Sequence, residues 1–134
     1  MKKYDENTIG YDSIEQEDNY EKISPKMRES LSKLKTDGRH AINGIIKLLN
    51  DNSLDHKAIL GEPKYRYMIR CSQNKLAKLI GVDRGNFAKG IKQLMDANMI
   101  IKDDGVMYIN PLIFNSCDVV DKRTLDKFGI KYNK

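Results

Sequence analysis

The sequence predicts a mainly α fold that ends in a small β-hairpin, and three observations predict it. Ile42, Ile45, Ile46 and Leu49 recur at the i, i+3, i+4, i+7 spacing of an amphipathic helix. Two further amphipathic stretches, Gln73 to Ile80 and Arg84 to about Ala97, flank a sharp Gly81-Val82-Asp83 turn. Asp103-Asp104-Gly105 then separates two short apolar runs, Met99 to Ile101 and Val106 to Ile109, a hairpin signal because an Asp-Gly pair tolerates positive φ at both positions.

Taken in order, residues 1–23 are polar, acidic and without sustained periodicity, which predicts an extended or mobile arm. The folded part, 24–116, opens where Ser24 can cap a helix with Pro25 at its first position, and Met27, Leu31 and Leu34 share one face. Thr36-Asp37-Gly38 interrupts or bends that pattern before the isoleucine-rich helix. Residues 50–64 read as a connector, and Lys64 to Cys71 as a short strand with Tyr65, Tyr67 and Ile69 alternating. Ser72 offers a capping hydroxyl to the next helix, whose apolar side is Leu76, Ala77, Leu79 and Ile80. Gly81 stands where a helix C-terminus takes a residue at positive φ, Val82 is a small apolar plug, and Asp83 caps the second helix. Asn110-Pro111 closes the hairpin ladder, since proline lacks the strand donor. The tail, 117–134, carries one more helical stretch from Asp118 to Phe128, which groups Val119, Val120, Leu125 and Phe128.

Composition bounds the function. A chain of 134 residues, 40% hydrophobic and 32% charged, is one globular domain's worth and can bury a core. No apolar run approaches the ~20 residues of a membrane span, and "MKKYDENTIG" lacks the apolar region of a secretory signal. The cytoplasm is therefore the expected location, with no membrane partner. Cys71 and Cys117 are too few and too far apart for a disulfide framework or zinc site, and His40 and His56 lack neighbours at ligand spacing. No metal and no cofactor is expected. A Walker loop, GxSxG and HExxH are all missing from the sequence, so nothing argues for an enzyme. Charge is uneven: residues 1–25 hold three lysines against seven carboxylates, a net −4, which leaves +9 on the remainder of a chain whose total is +5. A basic body points to an anionic partner, although solubility alone accounts for moderate basicity.

The predicted order is helix, short strand, helix, tight turn, helix, hairpin, which is the order of a winged helix-turn-helix. On the second helix of the turn, Phe87, Ile91, Leu94 and Met95 face inward. Arg84, Gly85, Ala88, Lys89 and Lys92 then lie on the opposite side, where small residues beside cations let a helix approach a DNA groove. Asn86 lies near its start. Ser72, Gln73 and Asn74 at the start of the preceding helix, together with Lys102 on the hairpin, complete the candidate DNA-binding set. The competing reading is a surface helix with a solvated basic face. Gly85 and Gly90 each cost about 1 kcal/mol of helix propensity, so this helix must lean on tertiary packing. Asp103 and Asp104 at the hairpin tip repel phosphates.

"SQNKLAKLIGVDRGNFAKGIKQLMDANMI" followed by "DDGVMYINPLIF" resembles the RepL-type plasmid replication proteins and, more loosely, the Crp-like winged-helix regulators. Residues 39–116 carry the resemblance; its most particular element is the join of "NMIIK" to "GVMYINPLIF", a wing strand that runs into Asn110-Pro111. The resemblance implies binding to double-stranded DNA at a replicon's origin and help in initiating replication; host replication proteins and a second copy of the chain, as a homodimer, are the protein partners left open. Gly85, Gly90 and the acidic tip depart from the family's pattern. The residues leave three readings open: a replication initiation and maintenance protein, a transcriptional regulator, and a winged-helix protein-interaction module that does not touch DNA.

Overall fold

Amphipathic helices that bury one face each, and a hairpin that caps them, account for most of the architecture. The computed structural model describes residues 8–10, 25–51, 56–60, 67–113 and 119–132. In chain order these form β1 (Thr8–Gly10), α1 (Pro25–Ser32), α2 (Thr36–Asn50), α3 (His56–Leu60), β2 (Met68–Ile69), α4 (Gln73–Ile80), α5 (Arg84–Asp96), β3 (Ile100–Asp103), β4 (Val106–Ile109), β5 (Val119–Asp121) and α6 (Lys122–Phe128). The fold is mainly helical with two small antiparallel sheets, one of order β2-β4-β3 and the other pairing β1 with β5. None of the described helices is long and apolar enough to cross a membrane.

α2 is the central helix. It buries Ile42, Ile45 and Leu49, as the spacing predicts, together with Ala41 and Leu48, while Ile46 is only half-buried; each buried isoleucine or leucine contributes ~1.5–3 kcal/mol. Thr36-Asp37-Gly38 does not interrupt a helix but forms the first turn of this one. Lys35 at the N-cap gives no side-chain cap; the Gly38 N–H instead donates to Gln93 Oε1 of α5 at 3.1 Å, which satisfies one of the orphan donors of a helix start. Pro25 opens α1, Leu31 packs on the core and Leu34 is buried; Ser24 and the side chain of Met27 lie outside the described residues.

Three segments depart from the sequence reading. Within the expected connector, α3 forms because Ile59 and Leu60 are buried, and the Ile59 carbonyl accepts the N–H groups of Arg70 and Cys71 at 2.8 and 3.1 Å. β2 is only two residues long among the described residues, and Tyr67, Met68 and Ile69 are all buried in place of an alternation. Both faces of its sheet are covered: Ile69, Met107 and Ile109 join the main core, while Met68, Val106 and Tyr108 form a second cluster with Ile101 and Phe128. Finally, the arm and the tail are joined. Thr8, Ile9 and Gly10 pair antiparallel with Asp121, Val120 and Val119, and Ile9 and Val120 are buried. Residues 8–10 are therefore a strand of the fold, not a mobile arm, and the stretch expected as a helix from Asp118 begins as a strand, with helix only from Lys122. The remainder of the expected arm, 1–7 and 11–23, lies outside the described residues. The Asp121 carboxylate caps α6, accepting from the Thr124 N–H at 3.0 Å and the Thr124 hydroxyl at 2.7 Å.

The hairpin turn has Asp104 at φ 50° and Gly105 at φ 76°, with Asp103 opposite Val106, the paired positive φ that the Asp-Gly sequence predicts. The ladder ends at Ile109. Asn110 is buried at 2% exposure; its side chain donates to the Asn98 carbonyl at 3.0 Å and accepts from the Leu112 N–H at 3.0 Å. That amide thus fastens the end of the hairpin to the turn after α5.

Candidate nucleic-acid interface

α4 and α5 are built by their termini. The Ser72 hydroxyl accepts from the Lys75 N–H at 3.1 Å and starts α4. Gly81 ends it at φ 84°, with the Gly81 and Val82 N–H groups both donating to the Ala77 carbonyl at 2.9 and 3.1 Å. Asp83 Oδ2 accepts from the Asn86 N–H at 3.1 Å and starts α5. At the far end Asn98 takes φ 60°, its N–H donating to Met95 and that of Met99 to Leu94 at 3.1 and 2.9 Å, the paired bonds of a Schellman closure. Gly81→Ala is expected to destabilise the fold by ~1–2 kcal/mol, because a Cβ is strained in the left-handed region. A thermal melt that matches wild type would show that the turn can rearrange at no cost.

α5 separates its faces cleanly. Phe87, Gly90, Ile91 and Leu94 are buried, and Arg84, Gly85, Asn86, Ala88, Lys89 and Lys92 are exposed. Met95 belongs outside, at 41% exposure, and Leu79 of α4 outside at 42%, where the sequence reading placed both inward. Neither side chain finds a covering element among the described residues. On α4, Ser72 and Asn74 are exposed, and Gln73 is half-buried because its Oε1 accepts from Lys102 Nζ at 3.0 Å. Lys102 is exposed and bridges the hairpin to α4. A cleft of about 190 Å³ opens at this junction, lined by Cys71, Ser72, Gln73 and Lys102 with Gly105 to Met107. The structure thus brings Gln73 into contact with Lys102, with Ser72 lining the same cleft, does not bring Asn74 to them, and leaves the α5 residues exposed.

The hairpin tip is not the isolated acidic feature that the sequence shows. Asp103 forms an ion pair with Lys127 of α6. That hydrogen bond raises the Lys127 pKa above its ordinary value, against an opposing desolvation, with the charges of Asp103 and Tyr108 adding to the rise and that of Arg123 reducing it. Lys127 Nζ also lies 5.6 Å from the centre of the Tyr108 ring. Sequence reasoning places a helix in the tail but not its contact with the hairpin, because no local pattern connects residues 24 apart.

Burial pushes the Cys71 thiol above its usual range, against a lowering by the nearby Lys75 charge. His40 is exposed, and His56 is buried with Nε2 3.3 Å from the Leu48 carbonyl oxygen. No group of three or more His, Cys, Asp or Glu that could hold a metal is found among the described residues. Cys117 lies outside them. What the α5 face can do chemically is present a guanidinium, an amide and two ammonium groups between small residues, a set that hydrogen-bonds base edges and pairs with phosphates. Comparison with protein-family models, curated proteins and solved structures finds no match for this chain.

Proposed function

We propose that the chain is a winged helix-turn-helix protein that binds double-stranded DNA and serves in the initiation and maintenance of a plasmid- or phage-type replicon. In this reading α2, α4 and α5 are the three helices, β2, β4 and β3 the winged sheet, and α5 the helix that enters the major groove. The observation that carries DNA binding is the segregation of α5: its apolar residues up to Leu94 are buried, while Arg84, Asn86, Lys89 and Lys92 stand exposed beside Gly85 and Ala88. A helix that only braced a core has no need of small residues between cations on its outer side. The replicative role adds the resemblance of residues 39–116 to the RepL-type proteins.

Two measurements test it. Affinity for duplex DNA should fall steeply between about 50 and 200 mM salt, as counterions released from several phosphates require; salt-independent or absent binding would leave a protein-interaction module. DNA recovered with the protein from cells should lie in an origin, and the protein supplied in trans should sustain that replicon. Recovery of promoter DNA with repression of the adjacent gene would replace the initiator with a transcriptional regulator.

A further inference from the structure

β3 sends its side chains alternately to the two faces of its sheet. Ile100 joins the main core and Lys102 reaches Gln73 on the helical side, whereas Ile101 and Asp103 point to the other face, where α6 lies. There Phe128 packs with Met68, Val106 and Tyr108, and Lys127 holds Asp103. α6 is anchored at its other end by the Asp121 cap and by the pairing of β5 with β1. Arg123 stands one turn before Lys127, is exposed, and is close enough for its charge to act on that ammonium. The hairpin and α6 are thus joined. The tip carries Asp103 and Asp104; α6 places Lys127 against Asp103 and carries Arg123 exposed one turn earlier, with Asp126 as the exposed carboxylate on the same helix and Lys131 just beyond it.

We infer that α6 supplies the phosphate contacts that the acidic hairpin tip cannot make, with Arg123 as the principal contact. The inference rests on the DNA-binding reading above. A hairpin beside a groove-bound α5 comes near the flanking backbone, where a bare Asp-Asp tip is repelled. Pairing with Lys127 neutralises Asp103, and Arg123, a fork-shaped donor suited to phosphate oxygens, adds the attraction. Sequence-independent contact is the expected character, since a guanidinium on a phosphate carries no base information.

The test is fluorescence anisotropy with the full chain and a labelled duplex of arbitrary sequence, at several salt concentrations. Arg123→Ala is expected to weaken binding ~five- to tenfold near 0.1 M salt and to lower the slope of log affinity against log salt by about 1. Arg123→Lys should keep the wild-type slope. Because Arg123 is exposed, far-UV circular dichroism and melting temperature should match wild type. A wild-type protein with steep salt dependence, alongside an Arg123→Ala variant of equal affinity and slope, would remove α6 from the interface and leave the DNA-binding reading standing. A wild-type protein with no salt-dependent affinity would remove both.

Discussion

Gly90→Ala is expected to destabilise the protein by ~2–3 kcal/mol, although alanine is the better helix former by about 1 kcal/mol. A Cβ at this position would stand 2.3 Å from the Asp37 carbonyl oxygen and 2.9 Å from the Ala41 Cβ, and the first of these is backbone that cannot rotate away. α2 and α5 would have to separate. That movement would loosen the packing of Phe87, Ile91 and Leu94 and would strain the Gln93 bond to the Gly38 N–H, made at the same crossing. The melting temperature should fall by roughly 10 °C. Gly85→Ala is the internal control: it is exposed, and its Cβ would meet only the Asp83 carboxylate, at 3.2 Å, so a change within about 0.5 kcal/mol is expected. Equal effects at the two glycines would show that α2 and α5 do not pack as closely as described.

Gly90 also marks the boundary of what the sequence makes legible. Its propensity cost is visible in one dimension; the partner that makes the glycine necessary, Asp37, is distant in the chain. Local signals are legible because their physics is local. Ser72, Asp83 and Gly81 cap or close helices within four residues of themselves, and Asp104-Gly105 sets its own turn. Segments 8–10 and 119–121 carry no such signal. Three residues form each strand, and what makes them strands is mutual pairing across more than a hundred residues. The alternation expected of the strand at Tyr67 and Ile69 fails for the same reason, since Met68 between them is buried too. The alternation rule assumes one solvated face, and α6 covers that face with Phe128. On the candidate interface, the inward and outward sides of α5 were legible from periodicity, with Met95 as the exception at the helix end. Contributions from other elements, namely Gln93 to α2 and Lys127 to the hairpin, were not. The β1–β5 pairing changes how the ends of the chain can be probed, because removing residues 1–10 would also strip β5 and the start of α6 of their support.

The double variant Arg84→Ala/Lys89→Ala is expected to lose ~2–4 kcal/mol of DNA-binding free energy, about 30- to 1000-fold in affinity, while folding as wild type. Both side chains are exposed on α5, and neither contributes to the buried set of Phe87, Gly90, Ile91 and Leu94. Circular dichroism and thermal unfolding should therefore be unchanged within about 0.5 kcal/mol. The two duplexes to compare are one recovered with the protein from cells and one of arbitrary sequence. A side chain that reads a base loses affinity chiefly on the recovered duplex, since a guanidinium bidentate to guanine is worth ~1–3 kcal/mol of discrimination. A phosphate contact weakens both duplexes alike and lowers the salt slope. Arg84 follows the Asp83 cap directly, in the first turn of α5, and Lys89 lies five residues further along. Spaced this way, the single variants can divide the two roles: the arginine suits a base edge, the lysine a phosphate at longer reach. If the folded double variant binds both duplexes as tightly as the wild type does, α5 does not enter the groove and its exposed cations are a solvated surface.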